Sequence, residues 1–582
     1  MSPVTRESSL SWCIGGIAAA VLLLTADYQI YDNNFYALPS AIGLLAGEHP
    51  YRDFFEWGVP LQVVLSAAAQ VVFRNHLLGE FVLQWAFIVA GVVLAFRVSL
   101  RLSASPAASA AAFVPVLVNL GATPTYHYPK LFIYPAATLL AWAYLDRPGR
   151  RRAAALGAFA AIAFFFRHDH GVYVGISVLL AFAFAATLAE PPRRRRLLVR
   201  DIVACGTTCA ALVLPWAILV ATTEGLRPYV EARAYINSAW SVQQSVFLAV
   251  LDMNPVHALA PDAVIPATLD SVERWLARLP ARENALMWLY QVTMLVTLLA
   301  LFASCWELLR ARFRSLPAPR RGVDLLLAAL VAAVVERQLF REPSYFVMVA
   351  PLAAAFGARL LAGRPRSERV PGERLAGLRW RPAVRVAVGG ALLGITTLAA
   401  ASYTRESRLV HPISQMKNLG NTFERLWASP AVDGVLPGED ARAMGPEQWK
   451  TMDFGRKSNV ILHYLHDCTA PGDRLFVSGQ TPYQVNYYAD RPMAGGHLYW
   501  HDGWRADPAR RAQSLALLQQ QSVPFAFATH NPVLEELRGY PEIEQYFRAH
   551  YLEIDGTLGR LLVDRRRRPT GTYGRLGLPC FA

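Results

Sequence analysis

The sequence has little charge for its length. Only 17% of its 582 residues are charged, whereas 54% are hydrophobic, and many hydrophobic residues stand in long apolar blocks. Soluble domains carry charge on about a quarter of their residues, so the composition excludes an ordinary soluble protein. It predicts a polytopic α-helical membrane protein, because a straight helix needs roughly 20 apolar residues to cross the bilayer hydrocarbon.

Common catalytic motifs and zinc-type cysteine pairs are also missing. The sequence has no P-loop, GxSxG, HExxH or CxxC, and no GxGxxG after a strand, which argues against the enzyme classes that these motifs mark. Cys468 and Cys580 lie in a polar region and can pair if that region is extracytoplasmic. The other cysteines stand in apolar blocks and are interpreted as small core residues: Cys13, Cys205, Cys209 and Cys305.

The net charge of +14 comes from arginines in short loops between apolar blocks. No aromatic and basic platform accompanies them, so nucleic-acid binding is not predicted. Such clusters are typical of the cytoplasmic ends of membrane spans. They occupy residues 147–152, 193–200, 310–321 and 359–385.

Apolar blocks predict about 11 spans and a multi-pass protein of the inner (plasma) membrane. The first block is interpreted as a retained span, because no clear cleavage site follows it. The blocks lie near residues 12–25, 80–96, 106–121, 131–145, 153–166, 171–189, 202–222, 285–306, 323–335, 344–362 and 384–402.

Counting spans between the arginine loops predicts the orientation. Residues 27–79 and everything after 403 then lie outside the cytoplasm. For this to hold, segment 59–73 must dip into the membrane or lie along its outer face. The predicted domains are a transmembrane module, 1–402, with an extracytoplasmic first loop, 27–79, and a small extracytoplasmic α/β domain, 403–582.

Within the C-terminal domain the pattern predicts alternating strands and helices. The strands are expected at 474–478 and 524–528, the helices at 508–521 and 533–550, and a closing hairpin at 551–564.

The first loop carries an unusual number of acidic residues. Between Tyr31 and Trp57, the helical spacing of Phe35, Leu38, Ile42 and Leu45 predicts an amphipathic surface helix.

Acidic residues flank this predicted helix. Asp32, directly after the first span, is a candidate catalytic base, or equally an N-cap for the helix that follows. Asp53 and Glu56 are candidate ligands for sugar hydroxyls.

Two predicted outer turns combine cations with histidines. Arg167, His168, Asp169 and His170 form one turn, with more ionisable groups than interfacial anchoring requires, and arginine binds phosphate bidentately. The two histidines with a carboxylate could bind a divalent metal, although no metal ligand is assigned.

The turn before the predicted span 131–145 contains His127 and Lys130. Lys130 is expected to face a phosphate or to snorkel toward the interface.

A late outer motif contains Arg337, Arg341 and Tyr345. Two arginines outside run against the positive-inside trend, which indicates an anionic partner. Arg341 is the preferred contact of a leaving phosphate, with Arg337 second. The alternative is an ion pair with Glu336 or Glu342.

These motifs resemble the GT-C superfamily of polyprenyl-phosphate-sugar glycosyltransferases, in particular bacterial relatives of protein O-mannosyltransferases and lipid A aminoarabinose transferase. The resemblance rests on Tyr31-Asp32, on GEHPYRDFFEWGVPL from Gly47, on RHDHG from Arg167, and on REPSY ending at Tyr345. It implies a helical membrane module with a surface-helix first loop. It also implies sugar transfer on the outer side with Asp32 as base.

The leading hypothesis is an inverting glycosyltransferase using a polyprenyl-phosphate-linked sugar donor and a lipid, glycan or protein acceptor. The main alternative is a multi-span transporter or lipid-linked sugar flippase, which would use the same outward charges as a substrate path. The sequence shows no inverted repeat, and it carries a large polar C-terminal region, so the enzyme is favoured. A scaffold or an inactive member of the same fold is a third alternative.

Overall fold

A computed structural model gives the fold of this chain. It describes residues 3–26, 37–56, 58–120, 128–188, 191–231, 295–306, 346–362, 445–451, 454–479, 483–497 and 508–582, together with short pieces between 309 and 427 and position 500. The chain divides into two compact units. The first comprises Met1–Gln29, Gln84–Trp216 and Trp240–Leu419, and the second comprises Ile30–Leu83, Ala217–Ala239 and Gly420–Ala582.

The apolar blocks that lie in the described residues are helical. In chain order the described helices of the first 362 residues are α1 (Pro3–Leu24), α2 (Leu38–Leu45), α3 (Pro60–Val72), α4 (Leu77–Ser103), α5 (Pro106–Leu120), α6 (Tyr128–Asp146), α7 (Arg150–Phe166), α8 (His168–Leu188), α9 (Pro191–Thr223) and α10 (Phe346–Ala362), with a further helical segment Leu295–Trp306 before α10.

Four of the described helices are long and apolar enough to cross a membrane. They are residues Glu7–Leu24, Leu77–Ser103, His168–Ala186 and Val199–Thr223, and several shorter apolar helices accompany them. Large apolar side chains such as Trp12, Phe302 and Trp306 lie exposed on these helices. Exposed apolar surface of this kind is typical of contact with lipid. The total of about 11 spans stays a prediction.

Within the first unit, small residues let helices approach closely. A Cβ at Gly91 of α4 would clash with the carbonyl of Leu131 in α6, and one at Gly157 of α7 would clash with the carbonyl of Cys205 in α9. Close backbone approach through small residues is the usual packing mode of membrane helices. The rings of Phe87 and Phe132 then meet edge to face, with centroids 5.4 Å apart.

An ion network ties the ends of α4 and α6 in the same unit. The guanidinium of Arg101 donates to both carboxylate oxygens of Asp146 at 2.9 Å and to Asp324 at 3.0 Å. It also lies 4.8 Å from the ring centroid of Trp142. Asp324 is buried, so this pairing compensates a charge that would be costly alone.

In the second unit, the first loop forms two short helices that pack on each other, α2 and α3. A helix is present in this loop as α2, whereas its place on the membrane surface stays a prediction. The predicted apolar face is only partly correct, because Leu38 is buried, Ile42 is half-buried and Leu45 is 45% exposed. With 13 residues, α3 is too short to cross a bilayer.

The C-terminal chain forms an α/β domain in this unit. Its elements are α11 (Pro446–Thr451), α12 (Phe454–Asp467), β1 (Leu475–Ser478), α13 (Tyr483–Tyr488), α14 (Pro508–Gln520), β2 (Phe525–Ala528), α15 (Val533–Glu536), α16 (Pro541–His550), β3 (Tyr551–Glu553), β4 (Leu561–Asp564), β5 (Gly571–Tyr573), a 3-10 turn (Gly574–Leu576) and β6 (Leu578–Cys580).

The predicted strands and the hairpin are confirmed. A four-stranded sheet has the order β1-β2-β4-β3, in which β1 pairs parallel with β2, and β4 pairs antiparallel with both β2 and β3. Helix 533–550 is interrupted, since α15 and α16 are separated by the turn before Pro541. The sequence did not predict the β5–β6 pair. The domain boundary near residue 402 stays a prediction, because residues 399–419 lie outside the described residues.

A disulfide joins Cys468 at the end of α12 to Cys580, with the Cα atoms 4.5 Å apart. The amide of Phe581 donates to the carbonyl of Cys468, which fixes the chain end beside it. The interpretation of the remaining cysteines as core residues is wrong for Cys13 and Cys305. Both are exposed on apolar helices, where lipid rather than protein would surround them.

Candidate functional site

The candidate site residues fall into three groups. Lys130, Arg167, His168, Asp169 and His170 lie in the first unit, whereas Asp53 and Glu56 lie in the second. The remaining predicted residues lie outside the described residues, and their roles stay predictions: Asp32, His127, Arg337, Arg341 and Tyr345. The described helix α2 has Ala37 at its N-cap.

The structure brings Lys130 and the 167–170 turn together. The guanidinium of Arg167 lies 2.8 Å from the Asp169 carboxylate, and the other carboxylate oxygen lies 3.5 Å from Nδ1 of His170. Lys130 is 2% exposed, and its charge acts on Asp169 and on His170. We call Lys130, Tyr134, Arg167, Asp169 and His170 the Arg167 cluster.

Tyr134 is the member that sequence reasoning missed. Its hydroxyl lies 2.7 Å from Nδ1 of His170, and both side chains are buried. Tyr134 follows Lys130 by four positions on α6, so both side chains face the same side of that helix. That spacing was the signal that could have identified it.

His168 does not join this network. Its ring stacks on Phe164 with centroids 4.1 Å apart and meets Trp216 edge to face. Its Nδ1 lies 2.9 Å from the carbonyl oxygen of Phe164. His168 and His170 thus contact different neighbours and do not form a shared metal site. Within the described ranges, no three His, Cys, Asp or Glu side chains are grouped closely enough to hold a metal ion.

The charge balance of the Arg167 cluster suits an anion. It contains two cations, Lys130 and Arg167, against the single carboxylate of Asp169, so its net charge is +1 apart from His170. The ion pair with Asp169 fixes the planar guanidinium in place. Because the cluster is largely shielded from water, its charges act on a ligand more strongly than exposed charges would.

Asp53 is held in a tight turn of the first loop in the second unit. Arg52 donates to both of its carboxylate oxygens at 2.8 and 2.7 Å, and the amide of His49 donates to it at 2.8 Å. The Arg52 guanidinium beside it holds the pKa of the Asp53 carboxyl below its usual value. We call residues 48–56 the acidic turn.

Glu56 is buried at the other end of the acidic turn. Its carboxylate accepts a hydrogen bond from the amide of Val59, immediately before α3, and one from the hydroxyl of Tyr229 at 3.3 Å. A carboxylate here also complements the positive end of the α3 dipole. Glu56 thus anchors the turn to two other segments of its unit.

The acidic turn lines an open cleft within the second unit. The walls combine charged, aromatic and glycine residues from the turn, from the C-terminal domain and from Glu224. Residues that line it include Arg52, Asp53, Phe55, Glu224, His497, Arg510 and Gln513.

The chain is similar to ArnT. Two structures of ArnT from Cupriavidus metallidurans match over nearly the whole length. The one bound to undecaprenyl phosphate has a TM-score of 0.46 and 14% identity, covering 94% of this chain and 96% of that one. The apo structure has a TM-score of 0.43 and 15% identity, covering 95% and 97%. No family model and no curated protein sequence matches this chain.

Proposed function

We propose that this protein is an inverting glycosyltransferase of the membrane. It would move a sugar from a polyprenyl-phosphate donor to a hydroxyl of a lipid, glycan or protein acceptor on the extracytoplasmic face. The carrier lipid belongs to the same chemical class as the undecaprenyl phosphate bound by ArnT. The proposal rests on the motifs that resemble the GT-C superfamily and on the residues described above.

The observation that carries the proposal is the Arg167 cluster. Lys130 and Arg167 are two cations beside one carboxylate, at the ends of α6 and α8. Cations inside a membrane domain are costly and are retained where an anion needs them. A lipid phosphate offers such an anion at that depth, because its headgroup lies at the interface while its chain stays in the hydrocarbon.

The disulfide supports the extracytoplasmic side for the C-terminal domain. Structural disulfides persist in oxidising compartments such as the bacterial periplasm and are rare in the cytosol. The pair Cys468–Cys580 therefore supports the orientation in which the first loop and the C-terminal domain lie outside.

In the proposed reaction, Asp32 takes the proton of the acceptor hydroxyl as its oxygen forms a bond to the anomeric carbon. The bond from that carbon to the phosphate oxygen breaks, and the electron pair leaves with the polyprenyl phosphate. Arg341, together with Arg167 or Lys130, stabilises the charge on the departing phosphate. Asp53 and Glu56 orient sugar hydroxyls. Stabilisation of the leaving charge is expected to be the largest catalytic contribution, since the groups act in low dielectric.

Transfer by purified protein in vesicles tests the proposal. Wild-type protein given a labelled polyprenyl-phosphate sugar and a hydroxyl acceptor should form product. Asp32→Asn should lower the rate by about 100-fold or more, whereas Asp32→Glu should retain part of it. Full activity in Asp32→Asn would remove Asp32 from the mechanism. Movement of the donor across the vesicle without its consumption would instead support the transporter alternative.

A further inference from the structure

Arg510, at the start of α14, joins three segments of the second unit. Its guanidinium forms an ion pair with Glu224 and lies 3.5 Å from the carbonyl of Pro228. The same guanidinium lies 4.8 Å from the ring centroid of Phe55 in the acidic turn. The side chains of Arg510 and Glu224 are only 10% and 9% exposed. A buried arginine with a carboxylate on one side and a ring face on another is held in a single geometry.

Glu224 is presented to Arg510 by the turn that ends α9. The amides of Glu224 and Gly225 both donate to the carbonyl of Val220, at 3.1 and 2.8 Å, and Gly225 has φ +87°. This left-handed turn at the helix end needs glycine, which has no Cβ penalty there. The chain then leads to Tyr229, whose ring meets Tyr51 edge to face at 5.6 Å. The hydroxyl of Tyr229 also donates to Glu56, so this segment contacts the acidic turn at Tyr51 and at Glu56.

The acidic turn itself has a backbone that needs outside support. Tyr51 has φ +75°, an outlier for a bulky residue, and conformations of this kind persist only where the surroundings enforce them. The amide of Phe55 donates to the carbonyl of Gly496 at 2.8 Å. A Cβ at Gly496 would lie 3.0 Å from the carbonyl of Asp53, so the C-terminal domain presses its backbone directly against the turn.

We propose that Arg510 is a positioning residue that holds the acidic turn in its working conformation. Through it, the C-terminal domain acts on the reaction indirectly, by way of the acidic turn. The inference rests on the proposed function, because the acidic turn carries Asp53 and Glu56. When the charge at Arg510 is lost, Glu224 loses a buried ion-pair partner, and the Phe55 ring loses the cation over its face. The strained turn can then relax.

Arg511 provides a matched control on the same helix. It is the neighbouring arginine, and its guanidinium pairs with Glu542 at 3.1 Å within the C-terminal domain. Arg511→Gln therefore removes the same charge from the same helix turn but leaves the acidic turn untouched. Any effect shared by Arg510→Gln and Arg511→Gln is an effect on the domain as a whole.

The first measurement is hydrogen exchange in the full-length protein, followed on a peptide covering residues 48–56. Arg510→Gln and Glu224→Gln should each speed exchange of this peptide by about tenfold or more, because local opening of the turn costs less free energy without the ion pair between Arg510 and Glu224. Arg511→Gln should match the wild type. Unchanged exchange in both Arg510→Gln and Glu224→Gln would overturn the proposal, whether or not the protein transfers sugar.

The second measurement is transfer by the same variants. Arg510→Gln should lower kcat by about tenfold or more, because a displacement of about 1 Å at a reacting group has effects of this size. The KM for the donor should stay near the wild-type value, and a cooperative melting transition should show that the variant remains folded. If exchange is faster in Arg510→Gln but the wild type itself transfers no sugar, the proposed glycosyltransferase activity is wrong and the positioning role of Arg510 is retained.

Exchanging the two charges distinguishes loss of the ion pair from general misfolding. The double variant Arg510→Glu with Glu224→Arg restores the ion pair with its direction exchanged, whereas each single reversal places two like charges together. Partial recovery of slow exchange and of kcat in the double variant is expected. If Arg510→Gln does not fold, Arg510→Lys is compared with the wild type instead. Two results together would then overturn the proposal: wild-type exchange and kcat in a folded Arg510→Lys, and no recovery of either in the double variant.

Discussion

Replacing Lys130 with methionine removes one of the two cations of the Arg167 cluster at nearly constant side-chain length. One charge-assisted hydrogen bond to a phosphate is worth about 1.5–3 kcal/mol. Because each 1.4 kcal/mol corresponds to tenfold in affinity, binding of a polyprenyl phosphate should weaken by about 10- to 150-fold. Asp169 keeps its ion pair with Arg167 and the methionine fills the space of the lysine chain, so the melting temperature should not fall.

Asp169→Asn gives a prediction of opposite sign at the same site. The cluster then carries two cations and no carboxylate, so polyprenyl phosphate should bind more tightly. Release of the polyprenyl phosphate product should also slow, provided that Arg167 keeps its position without its ion pair to Asp169. Opposite changes in affinity from two substitutions in one cluster are hard to obtain from general destabilisation. They would identify the cluster as the anion site.

The assay is equilibrium binding of polyprenyl phosphate to purified protein, together with donor kinetics. Arg147→Met is the matched control, because Arg147 is an exposed cation directly after the opposite end of α6. The control should bind like the wild type. Equal affinities for wild type, Lys130→Met and Arg147→Met would refute the assignment of the phosphate to this cluster.

Three further predictions concern the second unit. The double variant Cys468→Ala with Cys580→Ala removes a disulfide that spans 112 residues. Losing this cross-link raises the entropy of the unfolded chain, which should cost about 5 kcal/mol of stability. The C-terminal domain should therefore unfold at a lower temperature, and its mass should not change on reduction. Asp53 has a lowered pKa, so its contribution to stability is present above the usual pKa of about 3.9 and is lost as pH falls through the lower folded value. The difference in melting temperature between wild type and Asp53→Asn should therefore shrink from pH 6 to pH 3, and a constant difference would contradict this. Tyr229→Phe removes one hydrogen bond to Glu56 and should cost about 1 kcal/mol, measured as a lower melting temperature, whereas an unchanged value would show that the contact adds nothing.

Much of the local structure was predictable from the sequence. Apolar blocks gave the helices, because a helix buries or exposes its side chains with a period that the sequence displays. In the C-terminal domain the strands that end at Ser478 and Ala528, and the hairpin at 551–564, were predicted from alternation and turn residues. The helix at 533–550 is interrupted before Pro541, where the missing amide of proline breaks the ladder.

The candidate site was only partly predictable. Sequence reasoning placed Lys130 and Arg167 on the same side of the membrane, because span counting fixes the side on which each turn emerges. It did not predict the ion pair of Arg167 with Asp169, nor the contact of Tyr134 with His170. Those depend on how α6, α7 and α8 pack, which local periodicity does not encode.

The sequence by itself determined which segments are apolar, where they begin and end, and which polar residues gather in the turns. Only the tertiary structure decided that Arg510 meets Phe55 and Glu224, which are separated from it by 455 and 286 positions. Residues so far apart in the chain are brought together by shape and charge complementarity between folded elements. The strained backbone of Tyr51 belongs to the same category, because its conformation is enforced by neighbours and not by its own preference.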